Sequence, residues 1–339
     1  MKRILPFLFL AGIASAQPKI QGAAIFPATN IWNVRVDNQP VDANSNAIIA
    51  TVRAAYAAKY KLPFPHLKLD DTIPINVVHG NQPLVAVVGP SPANQNGDPG
   101  GFPIPNNVLI EGPDDLHALI VDVDNGIEYD IWHLQGGPGK WTAGSTAKWD
   151  LASNALRPDG WTSADAAGLP MVPGIVRFQE IKDGAVLHAL RISGLQTAYA
   201  AYRWPARHYA SHDQNPNDPQ MGMRLRLKAS FDISGFSPTN KILLTALKRY
   251  GMIISDNGMP WSMEHDQGPG WDAKDLVALH DVPDSALEVV NVSGLMSDPN
   301  QATAVQPPPS GVYVSDKLGR PNVITFAELA AKLSSARSK

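Results

Sequence analysis

The 339-residue chain contains no cysteine. Disulfide bonds, zinc–thiolate sites, iron–sulfur clusters and thiol nucleophiles are therefore excluded. Charge is also scarce and balanced, because Asp and Glu number 31 against 28 Lys and Arg, and these four types make up only 17% of the chain. No strong field recruits nucleic acid or an anionic membrane. The phosphate-loop, dinucleotide, nucleophile-elbow and zinc-protease motifs are absent as well. We expect no nucleic-acid partner, no cofactor and no metal.

Long hydrophobic runs are also missing, and the only concentrated one lies at the N-terminus. Lys2 and Arg3 precede an apolar run over residues 4–13, and Ala14-Ser15-Ala16 offers the small residues that signal peptidase accepts. A run of about ten residues is too short to cross a bilayer core of about 30 Å. We predict a signal peptide over 1–16 and a secreted or periplasmic protein that leaves the membrane after cleavage.

Hydrophobic residues make up 44% of the chain, and 30 Pro and 27 Gly interrupt it often. This composition supports a folded core built from short strands. Helical spacing is found at 46–60, at 273–280 and most clearly at 238–250, which has Ser237 as N-cap and Gly251 as its end. We predict a mainly β fold, an antiparallel β-sandwich or jelly roll with a few short helices.

The predicted sandwich forms a single domain over 17–298. A Pro-rich linker and short tail follow over 299–339, with residues 326–332 as an amphipathic helix. We expect a monomer.

The clearest local signal is a hairpin around Asn125-Gly126, a pair typical of type I′ turns. We expect Asp124 to pair with Ile127, which places Glu128, Asp130 and Trp132 on one face. Two carboxylates about 5–9 Å apart beside a ring that can support a sugar suit acid-catalysed glycosidic cleavage. Glu128 and Asp130 are therefore predicted as catalytic residues and Trp132 as a substrate contact. The alternative is a hairpin whose carboxylates face water.

The run 128–132 resembles the catalytic strand of the sandwich-fold cellulases of the cellobiohydrolase I type. In that family Glu-x-Asp-x-x-Glu supplies a nucleophile, a helper Asp and the acid. The resemblance implies the first two roles for Glu128 and Asp130. It departs from the family at the acid position, where this chain has His133.

Further candidates lie between residues 185 and 212. His188 falls in a predicted strand over 185–192 and is either a hydrogen-bonded core residue or a catalytic base. Arg191 has the opposite orientation and suits an ion pair or the carboxylate of a uronate. His208 and Trp204 lie in a loop and are predicted as a catalytic base and a substrate contact.

A basic row follows on a predicted strand over 223–228. Alternation places Arg224, Arg226 and Lys228 on one face. Arg224 and Arg226 are predicted to bind an anionic polymer, and the alternative is a solvated outer face.

Longer segments resemble a group of secreted bacterial and fungal proteins with no assigned activity. The resemblance spans most of 25–295 and rests on residues 141–151, 154–170, 188–191, 221–233 and 247–258. It implies export and a single domain, and it implies no reaction.

Together these features predict an exported carbohydrate-active enzyme with a polysaccharide substrate. A glycoside hydrolase with paired carboxylates is the first expectation. A polysaccharide lyase with His188 or His208 as base is one alternative, and a non-catalytic sugar-binding or surface protein is the other.

Overall fold

The computed structural model describes residues 17–89, 97–305, 311–315 and 321–325. Residues 17–305 form one compact unit. Of the second unit only an antiparallel pair of strands, over 311–315 and 321–325, is described. The predicted signal peptide, the proline run at 307–309 and the predicted helix at 326–332 lie outside the described residues.

The helices are α1 (Ser45–Tyr60), α2 (Phe178–Asp183), α3 (Pro238–Arg249) and α4 (Ala273–Leu276). The predictions of α1 and α3 are confirmed. The hydroxyl of Ser237 accepts a hydrogen bond from the backbone N–H of Asn240 at the start of α3, and Gly251 has a φ of +66° just after its end. The helix predicted over 273–280 is a single α-helical turn continued by a 3-10 helix over Val277–Asp281. Within the described ranges, no helix is both long enough and apolar enough to span a membrane.

The strands, numbered in chain order, are β1 (Lys19–Ile20), β2 (Ala23–Ala24), β3 (Lys68–Thr72), β4 (Ile75–Val78), β5 (Val85–Val88), β6 (Gly101–Phe102), β7 (Ala118–Asp122), β8 (Ile127–Trp132), β9 (Trp141–Thr142), β10 (Ser145–Asp150), β11 (Leu190–Gly194), β12 (Arg224–Leu227), β13 (Met252–Asn257), β14 (Ser262–His265), β15 (Leu287–Val290), β16 (Gly311–Ser315) and β17 (Pro321–Thr325).

Two four-stranded sheets form the body of the unit. The first has the order β10-β8-β7-β4, and the second has the order β11-β13-β12-β15. Each contains one parallel pair, β4 with β7 and β11 with β13. The mainly β class with short helices is as predicted, but the sheets are mixed and not closed, unlike an antiparallel jelly roll. Long connections, 79–117 and 195–251, give the chain room to return and pair in parallel.

The hairpin of β7 and β8 differs from the prediction in its turn. Asp122, not Asp124, pairs with Ile127, and the carboxylate of Asp122 accepts hydrogen bonds from the backbone N–H groups of Asp124 and Asn125. This side-chain cap replaces the predicted two-residue turn with a longer loop. The register moves by two residues, so Glu128 and Asp130 stay on the predicted face.

Apolar clusters cover both faces of the first sheet. One face contributes Leu119 and Val121, and the other contributes Ile120 and Ile131. The second sheet packs against α1 and α3 in the largest cluster. Glu128 and Asp130, which share the face of Leu119 and Val121, are therefore carried into the interior.

Candidate functional site

Glu128 and Asp130 are completely buried. Glu128 Oε1 accepts a hydrogen bond from the N–H of Val172 at 2.9 Å. Asp130 Oδ2 accepts from the indole of Trp149 at 2.9 Å and from the N–H of Met171 at 3.2 Å. The residues that sequence analysis placed in a cleft or in water lie instead under the loop that follows residue 170. A polymer cannot reach them in this conformation.

The two remaining oxygens of this pair, Glu128 Oε2 and Asp130 Oδ1, are buried without a donor among the described residues. Burial and the neighbouring charge of Asp130 raise the pKa of Glu128 well above its usual value. Burial also raises the pKa of Asp130 to about 6. A single proton held between the two free oxygens satisfies both, because two adjacent buried carboxylates cannot both ionise cheaply. We call these residues the proton-sharing pair.

Trp132 follows on the same strand and is only half-buried. Its indole N–H donates to Asp115 Oδ1 at 3.3 Å, and its ring lies against His133 with centroids 5.5 Å apart. The predicted combination of carboxylates and an aromatic ring is thus divided between the interior and the surface. Trp132 cannot present a sugar to the buried pair.

His188 lies in the interior, in the segment preceding β11 rather than in a strand. Its Nδ1 faces the carbonyl of Ala189 at 2.8 Å, and its Nε2 faces Glu180 at 3.1 Å. Burial opposes ionisation of Glu180, but the charges of Arg177 and His188 outweigh it and lower the pKa of Glu180 to about 2. Both ring nitrogens are engaged, so the geometry favours the core role for His188.

The basic side chains of β12, Arg224 and Arg226, form hydrogen bonds within the protein. Arg224 is buried and its Nε donates to the carbonyl of Tyr250 at 2.7 Å. Arg226 donates to Glu288 Oε1 at 2.7 Å and to the carbonyl of Val36 at 2.6 Å. The face is covered by the segment at 31–39, so the predicted cationic surface for a polymer does not form, and the solvated alternative fails for the same reason.

Arg191 forms ion pairs within the protein, which is one of the two roles predicted for it from the sequence. Its Nη2 lies 2.9 Å from Asp165 Oδ2, and its Nη1 lies 2.5 Å from Glu264 Oε1. All three residues are buried. Asp256 and His117 also interact electrostatically with Arg191. We call these five residues, Arg191, Asp165, Glu264, Asp256 and His117, the acidic cluster.

The residues of the acidic cluster come from both four-stranded sheets, from β14 and from a loop. His117 immediately precedes β7 of the first sheet, Arg191 lies on β11 and Asp256 on β13 of the second, and Glu264 lies on β14. Asp165 comes from the loop between β10 and α2, where its Oδ1 accepts from the N–H of Ala167 at 2.9 Å. Five separate stretches of chain therefore supply the carboxyl groups and their partners.

The electrostatics of the acidic cluster favour proton transfer near neutral pH. Burial raises the pKa of Asp256 to about 7, and the charge of Asp165 adds to this effect. Burial likewise raises the pKa of Glu264 to about 7 against the opposing charge of Arg191. The side chain of Glu111 outweighs the burial of His117 and raises its pKa. Groups with such values can both give and take protons at physiological pH.

Asp256 is the partly exposed member of the acidic cluster. One of its oxygens accepts the N–H of Asn257 at 2.7 Å. The side chain of Asn257 is held by Thr197, whose hydroxyl donates to it at 2.9 Å, and it donates to the carbonyl of Ala210 at 2.8 Å. Asp256 thus lies at the end of β13, where the loop over 197–213 is held by the neighbouring Asn257.

That loop carries a group of rings, Tyr199, His208, Tyr209 and His212, which we call the aromatic platform. His208 and Tyr209 stack with an interplanar angle of 11°, and Tyr199 meets Tyr209 edge-on with centroids 5.5 Å apart. Tyr199 is 44% exposed. The Nδ1 of His208 faces the carbonyl of Ala166 at 3.0 Å, beside Asp165. The aromatic platform and the acidic cluster are therefore adjacent.

Sequence analysis identified Arg191 and His208 but missed Asp165, Asp256 and Glu264. Asp256-Asn257-Gly258 stands out only as a turn signal, and Asp165 only as part of a segment rich in small residues. The usable signal is a carboxylate, Asp256, separated by one residue from the apolar strand residues 252–254. Trp204, also predicted, instead lines a separate cavity with Arg203 and Arg224.

Comparisons of the chain with family models, with curated proteins and with solved structures find no match. The resemblances drawn from the sequence therefore remain predictions. Across the described ranges, no group of three or more His, Asp or Glu side chains has the geometry to hold a metal ion.

Proposed function

We propose that the protein is an exported carbohydrate-active enzyme, a glycoside hydrolase that binds a sugar chain on the aromatic platform. In this proposal Asp256 donates a proton to the glycosidic oxygen. The observation that carries the proposal is the junction at Asn257, which links Asp256, a half-buried residue, to the loop that carries the aromatic platform. The proposed reaction is the one that the sequence analysis predicts, but the proton donor is Asp256 and not a member of the proton-sharing pair.

The aromatic platform supports the substrate class. Rings present apolar faces at low conformational cost, and a sugar ring offers a complementary apolar face together with hydroxyl groups. The platform has polar atoms at its edge, including the free side of His208 and the tyrosine hydroxyls. An extended polysaccharide can lie across such an open surface, whereas a closed pocket would exclude it.

Asp256 supports the reaction class. With a pKa of about 7, its carboxyl group is partly protonated at neutral pH and can donate that proton to the glycosidic oxygen. The C–O bond then breaks, water adds to the sugar carbon, and the proton released from water returns to Asp256. Asp165 does not touch the substrate. It pairs with Arg191, and its charge raises the pKa of Asp256, although burial also raises the pKa of Asp165 itself.

The test is hydrolysis of a panel of neutral and uronate polysaccharides by the mature protein, followed by the release of reducing ends. Asp256→Asn should abolish release while leaving polymer binding intact. Asp150→Asn is the matched control, because Asp150 is exposed and its role as acceptor for the N–H of Ala152 is one that Asn retains. Full activity in Asp256→Asn would refute the assignment.

A lyase is the second candidate, and one observation favours it. His208 directs its Nδ1 to the carbonyl of Ala166, which leaves Nε2 as the basic nitrogen on the outer side of a partly exposed ring. Ultraviolet absorbance of an unsaturated product, lost in His208→Gln, would support it. Binding without any product from the panel would favour the sugar-binding protein.

A further inference from the structure

The loop that follows the aromatic platform carries oxygen-bearing side chains at alternate positions. Asp213, Asn215 and Asn217 are followed directly by Asp218. The backbone N–H of Tyr199 donates to the carbonyl of Asp213 at 2.7 Å, so this loop adjoins the platform. None of the four residues belongs to the acidic cluster or to the proton-sharing pair. A run of this kind is common in loops and by itself indicates no ligand.

The second observation is the environment of Asp218. The residue is only 3% exposed, and neither of its carboxylate oxygens has a hydrogen-bond partner among the described residues. The side-chain amide of Gln196, which also acts on Asp218, donates to Asp213 Oδ2 at 2.5 Å. No Lys, Arg or His of the described ranges pairs with Asp218. A buried carboxylate with neither hydrogen bonds nor a counter-ion is costly.

Asp213 adds to this cost, because its carboxyl group lies next to that of Asp218. Burial and the charge of Asp213 raise the pKa of Asp218 to about 7. Two adjacent carboxylates are stabilised when a positive charge comes between them. Asp213 is partly exposed, so an ion can reach this pair from solvent, whereas both members of the proton-sharing pair are completely buried.

We propose that Asp213 and Asp218 bind a calcium ion at the base of the aromatic platform. Two carboxylates balance the charge of a divalent cation, and the loop offers only oxygen donors, which calcium prefers. Because the site has two carboxylates, amide oxygens, backbone carbonyls and water supply the remaining ligands. Calcium tolerates such a mixed and irregular set, whereas magnesium requires a nearly octahedral one. The site is independent of the proposed hydrolase reaction.

The test is calorimetric titration of the chelator-treated mature protein with CaCl2 and, separately, with MgCl2. One calcium ion should bind per chain with a Kd of about 1 mM or lower, and magnesium should bind about tenfold more weakly or worse. No binding of calcium at about 10 mM, or equal binding of magnesium, would overturn the proposal.

Asp218→Asn removes one of the two charges and keeps the size of the side chain. Because the oxygens of Asp218 accept no hydrogen bond within the described residues, the substitution breaks none. Calcium binding should weaken about tenfold or more. Asp150→Asn removes the same charge at an exposed position elsewhere and should bind calcium as the wild type does. Wild-type affinity in Asp218→Asn would mean that the ion binds elsewhere, and the assignment would be lost.

Asp213→Asn is the second variant, and its amide oxygen can still accept the N–H of Asn215, as Asp213 Oδ1 does at 3.0 Å. It should weaken calcium binding to a similar extent. Calcium should raise the Tm of the wild type and of Asp150→Asn, and should leave that of the two loop variants unchanged. An equal rise in all four proteins would overturn the proposal. If Asp218→Asn does not fold, Asp213→Asn decides it.

Discussion

The proton-sharing pair predicts an unusual dependence of stability on pH, which Asp130→Asn should remove. Burial raises the pKa of Asp130 from 3.8 to about 6. Since the folded protein binds a proton on Asp130 more tightly than the unfolded chain does, this carboxyl group contributes its full stabilisation below about pH 4. That contribution is lost as the pH rises from about 4 to about 6. A difference of about two pKa units corresponds to about 3 kcal/mol.

Asp130→Asn preserves the contacts around the pair while removing the titrating group. The amide oxygen can accept from Trp149 and Met171 as Oδ2 does now, and the amide N–H can donate to Glu128 in place of the shared proton. The free energy of unfolding of the variant, relative to the wild type, should therefore rise by about 3 kcal/mol between pH 4 and pH 7.

Urea denaturation at a series of pH values measures this difference. Asp150→Asn, at an exposed position, is the matched control and should follow the wild type at every pH. The reasoning is refuted if the stability of Asp130→Asn relative to the wild type stays constant or falls as the pH rises. In that case the pKa of Asp130 is not raised in the folded protein.

Three further predictions concern stability and can be read by denaturant or thermal unfolding. Arg191→Met should cost about 3–5 kcal/mol, because it leaves two buried carboxylates without their cation; a loss below about 1 kcal/mol would contradict the ion pairs. Glu180→Gln should flatten the loss of stability at acid pH, since the wild type loses the contribution of Glu180 as the pH falls from about 4.5 towards 2; an unchanged acid limb would contradict its pairing with His188. Gly251→Ala should destabilise by more than about 1 kcal/mol, because φ is +66° and a Cβ there would lie 2.1 Å from the carbonyl oxygen of Leu225; wild-type stability would show that the turn can rearrange.

Local features of the fold followed from the sequence alone. The boundaries of α3 are determined within a few residues of each end, by the hydroxyl of Ser237, the fixed φ of Pro238 and the freedom of Gly251. The prediction that Glu128 and Asp130 share a face is confirmed, although the predicted turn was wrong. Side chains alternate with a period of two, and the register differs from the predicted one by two residues.

Which faces are buried was decided by the tertiary structure. The β7–β8 hairpin has carboxylates on one face, and nothing within its own residues says that the loop after residue 170 covers them. The basic row on β12 is covered in the same way by residues 31–39, which are distant in sequence. Alternation predicts the two faces of a strand, whereas their environment depends on segments that arrive from elsewhere.

The candidate site depends even more strongly on segments that are distant in sequence. Asp165, Arg191, Asp256 and Glu264 come from a loop and three strands, and only the parallel pairing of β11 with β13 and the position of β14 bring them together. Each residue alone carries no local signal, because a carboxyl group acquires a raised pKa from burial and from neighbouring charges, and both are properties of the assembled fold. The sequence by itself determined secondary structure and strand faces, and long-range packing decided where proton chemistry is available.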